Sequence, residues 1–219
     1  MSKANRSRGK RRSSDRIEGK VEPIQTFLIV CEGRRTEPNY FRAFRVPTNV
    51  QVQIVGEGYN TLSLVERAIV LAAEQSYDQV WCVFDRDSFP VESFNSALEL
   101  ARLHSFHVAY SNEAFELWYL LHYHYVQTGI PRTTYITRLE RELGREYRKN
   151  DTRMYADLLS RQQDGIRNAR QLLALYNRPN PARDNPSTTV HFLIEELNKF
   201  SLDTMFTALK TQTERTHRW

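Results

Sequence analysis

The chain has few of the residues that staple, anchor or cradle. Its 219 residues include two cysteines, Cys31 and Cys82, and both fall in apolar runs that read as core strands. A thiol so placed is a small apolar filler, which excludes a disulfide framework and argues against thiol chemistry. No Cys or His pattern has the spacing of a zinc site. No apolar run approaches the roughly 20 residues of a membrane span. The polar, basic N-terminal stretch has no apolar h-region, so a secretory signal is not expected. These absences together predict a cytosolic protein without a membrane partner. The stretch "GEGYN" (56–60) has the glycines of a phosphate loop but not the Lys-Ser/Thr that follows them in a P-loop, which excludes a P-loop ATPase. A backbone turn is the simpler reading, with a substrate-phosphate contact as the alternative. There is no internal repeat.

What is present is enough apolar sequence for one sizeable core: 40% hydrophobic and 26% charged residues, a globular composition. The net charge is +5, and its distribution matters more than its sum. Residues 1–20 hold Lys3, Arg6, Arg8, Lys10, Arg11, Arg12, Arg16 and Lys20 against Asp15 and Glu18, so the excess lies there and the remainder is close to neutral. With Ser, Gly and Asn between its charges, a tail over 1–22 cannot bury enough apolar surface to fold and is expected to be disordered. It reads either as an electrostatic arm for phosphates or as a solvated terminus.

Beyond the tail, apolar runs alternate with helix-period stretches. Strands are predicted over 26–31, 50–55, 80–84 and 106–111, the second near an edge and the third buried on both faces. Helices are predicted over 36–45 with Thr36 as N-cap, over 61–75 with Leu64, Ala68 and Leu71 as an apolar stripe, and over 91–104. That order implies an α/β fold with a mainly parallel four-stranded sheet, occupying 23–127. From residue 112 the strands stop. Helices over 114–125, 135–144 and 155–176, and a last one over 187–200 capped by Ser187, make 128–219 a helical extension packed on the sheet domain.

In a parallel sheet the ligand site lies beyond the carboxyl ends of the strands. "FLIVCEG" (27–33) and "VWCVFDRD" (80–87) are apolar runs that end in acids, and Glu32 and Asp85 stand at such ends. With Asp87 two residues on, three carboxylates converge on a small volume. Unneutralised anions so close repel, and hard divalent cations such as Mg²⁺ or Mn²⁺ are their complement. Phosphodiester chemistry is the commonest use of such a site. The alternative is an acidic loop paired to Arg34, Arg35 and Arg86. Ser111 and Asn112 leave the fourth strand at the same edge, and Glu116 follows one helical turn later. Glu37 opens a helix, where the dipole favours an acid. Arg34 and Arg35 are placed either to clamp a phosphate or to neutralise the acids. His122 and His124, two apart on a helix, face different ways and read as structural.

The glutamate ending the first strand and the later D-x-D resemble the Toprim pattern. More narrowly, "CEGRRTEPNYF", "YSNEAFELWYLLHY" and "DNPSTTVHFL", in that order, resemble the RloB-like family associated with abortive-infection and restriction loci. The resemblance covers roughly 26–200 and implies a Toprim-fold, metal-dependent nuclease related to the OLD-type and AriB-like defence nucleases. It implies that Glu32 is an acid/base or metal-binding residue, that Asp85 and Asp87 are metal ligands, and that Glu116 completes a second metal site. It leaves Glu37 as a metal or positioning residue. The chain departs from the family at Asn112-Glu113, where Asn-Pro is more usual, so the turn there is in question. "YRKND" (147–151) and "ARDNPSTTV" also recur in the family and make Arg148, Lys149 and Ser187 candidate substrate contacts, against the plainer readings of a surface charge patch and an N-cap.

Three functions fit these residues: a nuclease acting on RNA, tRNA among them, or DNA in anti-phage defence; a non-catalytic module binding nucleic acid or a partner on the same fold; and primase-like nucleotidyl transfer. A regulatory protein partner is expected of a toxic nuclease. The residues do not choose between RNA and DNA.

Overall fold

The computed structural model describes residues 25–56, 58, 60–87 and 90–203. The basic tail lies outside the described residues, as do Glu57 and Tyr59 of the "GEGYN" turn.

The elements are β1 (Gln25–Cys31), α1 (Thr36–Arg42), β2 (Val50–Gly56), α2 (Thr61–Glu74), β3 (Gln79–Asp85), α3 (Val91–Leu103) and β4 (His107–Asn112), followed by α4 (Glu116–Leu120), α5 (Arg132–Leu143), α6 (Met154–Leu159), α7 (Gln162–Leu173), β5 (Ser187–Thr188) and α8 (Val190–Asn198). They form one sheet in the order β2-β1-β3-β4-β5. The first four strands pair in parallel, and β5 pairs antiparallel to β4, Ser111 with Thr188 and Asn112 with Ser187. Among the described residues the sheet therefore has five strands where the sequence predicts four. Ser187 begins a strand instead of capping the last helix, which starts at Val190. A two-residue strand has no periodicity to betray it, and Ser and Thr suit caps equally well.

Alternation along the strands divides the core. Phe27, Ile29, Cys31, Trp81, Val83 and Ala109 face one side, packing with residues of α1 and α4–α8. Leu28, Val30, Val80, Cys82, Phe84 and Tyr110 face the other, against α2 and α3. Strand residues alternate between faces because the side-chain period is two, and β1 and β3, covered on both sides, are accordingly continuous apolar runs. Leu64, Ala68 and Leu71 form the buried stripe of α2 as expected, and β2 is an edge strand. Cys31 and Cys82 are buried free thiols; burial pushes the Cys82 thiol up to about 12, which keeps it protonated and inert.

Helix ends are set locally. Asn60 caps α2 by accepting the N–H of Ser63 at 3.0 Å. Gly144 ends α5 in the left-handed region, with φ 63°, where a Cβ is costly. Thr36 is the first residue of α1 and not its cap; Arg35 holds the cap position, without a side-chain cap bond. The Thr36 hydroxyl instead donates to the carbonyl of Lys149 at 3.2 Å, tying the loop after α5 to the start of α1.

Candidate functional site

Register places the acids. Cys31, the last residue of β1, pairs with Val83 of β3, and the Glu32 N–H continues the ladder to the Val83 carbonyl at 2.9 Å. Glu32 thus comes level with the end of β3, and its Oε2 accepts the N–H of Asp85 at 3.0 Å. One cavity of about 340 Å³ opens here, lined by Glu32, Glu37, Asp85, Asp87 and Glu116 together with Arg34, Arg35, Arg132 and Lys149. It lies beyond the carboxyl ends of β1 and β3.

The five carboxylates come from four separate places. Glu37 is in the first turn of α1 and is buried, its carboxyl folded back against Gly33 so closely that a Cβ there would collide with it. Glu116 opens α4, also buried, and accepts the Tyr147 hydroxyl at 3.1 Å. The chain reaches it from β4 through a cis Asn112-Glu113 peptide. Asn112 is the last residue of a strand, so Glu116 is not one helical turn beyond it, yet it still lines the cavity.

Burial and crowding hold three of these carboxyls above their ordinary range. Burial is the main reason the Glu32 carboxyl is pushed up to about 7, with Asp87 and Glu37 adding like charge; the Asp85 N–H and Arg132 oppose the shift. Burial also raises Asp85 well above the ordinary range, reinforced by Glu37 and Glu116 and opposed by Arg132. Glu37 is raised by burial and by Glu116, against the pull of its own N–H and that of Gly33. Carboxyls crowded together away from water resist ionising unless a cation joins them.

The sequence reading misses the cation that does reach in. Arg132, the first residue of α5, sets Nη2 at 3.3 Å from Asp85 Oδ2 and 3.9 Å from Asp87 Oδ2. It stands 47 positions from Asp85, and its only local signal is Pro131 before a helix start. Arg86, a partner for the acids in the alternative reading, donates to the Ala182 carbonyl at 2.9 Å and to the Asp87 carbonyl, and lies over the Phe94 ring. Arg34 and Arg35 are exposed at the cavity rim, and Lys149 joins them.

Other candidates lie elsewhere. Arg148 is exposed and pairs with Glu146 at 2.8 Å, lining a separate groove with Arg145 and Arg153. Ser111, Asn112 and Ser187 are buried, and none lines the acidic cavity. Ser111 shares a hydrogen bond with Thr188 at 2.9 Å, while Asn112 Nδ2 and Ser187 Oγ both donate to the Asp184 carbonyl. Ser111 thus joins β4 to β5, Asn112 ties β4 to the loop before β5, and Ser187 bonds back into that same loop. His122 is buried with Nδ1 at 2.9 Å from the Trp118 carbonyl, and His124 pairs with Glu142, in keeping with structural roles.

The donor set is all oxygen, suited to a hard cation such as Mg²⁺ or Mn²⁺. Among the described residues, no three Asp, Glu, His or Cys side chains already stand together as a coordination shell. The arrangement offers the ligand types, with Arg132 set against two of the oxygens a cation would use. The described helices include none long and apolar enough to cross a membrane.

Fold and site together define an α/β protein with an acidic cavity at the carboxyl ends of a mainly parallel sheet. Residues 27–197 match the family described as RloB-like protein, and the chain belongs to that family. No curated protein and no solved structure matches it.

Proposed function

We propose that the chain is a nuclease that cleaves phosphodiester bonds of RNA or DNA with Mg²⁺ or Mn²⁺, on a Toprim-type sheet and in a role in anti-phage defence. The observation that carries this reading is the convergence of Glu32, Asp85, Asp87, Glu37 and Glu116 on one cavity at the strand ends. Glu32, Asp85 and Asp87 would hold the cation, with Glu116 and Glu37 beside them. A bound cation supplies an activated water and neutralises charge on the phosphate. If it does not ligate the cation, Glu32 would take or return a proton at Oε, the other role the resemblance implies. Arg34, Arg35 and Lys149, at the rim, attract and orient a polyanion. Tyr147 fixes Glu116 through its hydroxyl.

A non-catalytic binding module is the second reading. In its favour, no ready coordination shell exists among the described residues, and Arg132 already neutralises Asp85 and Asp87 in part. Purified protein incubated with total RNA, a tRNA pool and plasmid DNA in Mg²⁺, Mn²⁺ or EDTA separates the two. The nuclease cuts at least one substrate in a cation and none in EDTA; intact substrates in every condition, with no cation bound in a calorimetric titration, would overturn it.

A further inference from the structure

Arg132 is held in the cavity from both ends. Its backbone N–H donates to Glu113 Oε2 at 3.0 Å and its Nη2 to the Glu113 carbonyl at 3.2 Å. The same Nη2 reaches Asp85 and Asp87. The Arg132 side chain is 35% exposed, so the guanidinium has a path towards solvent while Glu113 Oε2 keeps the backbone of the α5 start in place.

A guanidinium and a divalent cation drawn to the same two carboxylates repel each other and compete for their oxygens. Resting on the metal-binding reading above, we propose that Arg132 is a resident counter-ion of Asp85 and Asp87 that a divalent cation must displace. While the site holds no cation, the arginine neutralises part of the buried negative charge that would otherwise push the strand ends apart. When a cation takes the two aspartates, the freed planar fork, with five N–H donors, lies at the mouth of the cavity beside Arg34, Arg35 and Lys149. There it is placed for a phosphate, so site loading and polyanion capture become linked events.

The test is calorimetric titration of Mn²⁺ into the full chain and into Arg132→Gln, with thermal unfolding of each in EDTA. Removing the competitor is expected to tighten Mn²⁺ binding roughly fivefold or more, the lower end of ordinary coupling between sites. It is also expected to lower the EDTA melting temperature, with Mn²⁺ restoring it. Arg132→Lys keeps the stem and charge but loses the fork, and its Mn²⁺ affinity is expected to fall between the other two. That variant decides the matter if Arg132→Gln does not fold. Unchanged or weaker Mn²⁺ binding in the variants, with the unmodified chain binding normally, overturns the counter-ion role and leaves the metal reading standing. Failure of the unmodified chain and every variant to bind Mn²⁺ removes both.

Discussion

Glu32 and Asp85, on neighbouring strands, are joined by a hydrogen bond from the Asp85 N–H to Glu32 Oε2 at 3.0 Å. That contact fixes one carboxylate by the backbone that carries another, so the spacing of the two acids is set by strand register and not by side-chain choice. Burial raises both carboxyls, with Asp87 and Glu37 adding to the shift of Glu32, and Glu37, Glu116 and Glu32 adding to that of Asp85.

Glu32→Gln is therefore expected to separate stability from activity. The amide keeps an acceptor for the Asp85 N–H and removes a charge. An acid raised from 4.5 to about 7 stabilises the fold fully below pH 4.5, and that contribution is lost as pH rises through 7. At pH 8 in EDTA the variant should be more stable than the parent by about 1–2 kcal/mol, after allowing for partial solvent access. Cation-dependent cleavage should fall on the order of 10²-fold or more. Urea unfolding and a cleavage assay check both halves, and full activity in the variant would remove Glu32 from the chemistry.

The rim cations should act on binding alone. Arg35→Gln and Lys149→Gln each remove one contact available to a phosphate, and each should lower the slope of log affinity against log salt by about 1 without altering sequence preference. Mn²⁺ affinity should stay within about twofold, because both side chains are exposed and screened. A salt titration of oligonucleotide binding measures the slope. An unchanged slope in both variants would place the polyanion elsewhere.

Acid should weaken the fold through two buried imidazoles. Burial pushes His122 down to about 4; burial and Arg170 do the same for His191. Depressed groups contribute stability that is present above their ordinary value of about 6.5 and is lost as pH falls towards 4. The loss for His122 alone should reach about 3 kcal/mol. Denaturant midpoints across pH 4 to 7 should fall steeply in the parent and less steeply in His122→Gln, which has no imidazole to charge. Equal slopes would show that His122 is not the group responsible.

Gly33→Ala tests how Glu37 is seated. A Cβ there would stand 2.9 Å from the Glu37 Cδ and closer still to one of its oxygens, so the carboxyl must shift or the turn must give, at a cost of about 1–3 kcal/mol. Adding Glu37→Ala should recover most of that loss, a coupling that a double-mutant cycle measures directly. Additive effects would mean that the two residues are seated independently.

The acids were legible in the sequence because a charged residue closing an apolar strand is costly unless the strand ends at a site, and parallel order puts those ends together. Glu116 was legible by type and place, though the strand-to-helix turn before it was not. Arg132 was not legible: one arginine among many, brought to Asp85 by the path of a whole helical segment, has no spacing to announce it. β5 was hidden for a different reason, since two hydroxyl residues before an apolar helix look the same whether they cap it or pair with a strand. Ser111 and Asn112 leave a strand at the site's edge and Ser187 lies in a segment shared with the family, yet their side chains bond to Thr188 and to the Asp184 carbonyl.

The pairing of β5 with β4 has a consequence for how the protein can be divided. Residues far along the chain complete the sheet at Ser111 and Asn112, and α5–α8 share one apolar layer with β1, β3 and β4. A fragment stopping near residue 127 would bare that layer and leave the outer edge of β4 open to adhesion with other copies. Truncation mapping of this fold will yield aggregates before it yields a smaller folded unit.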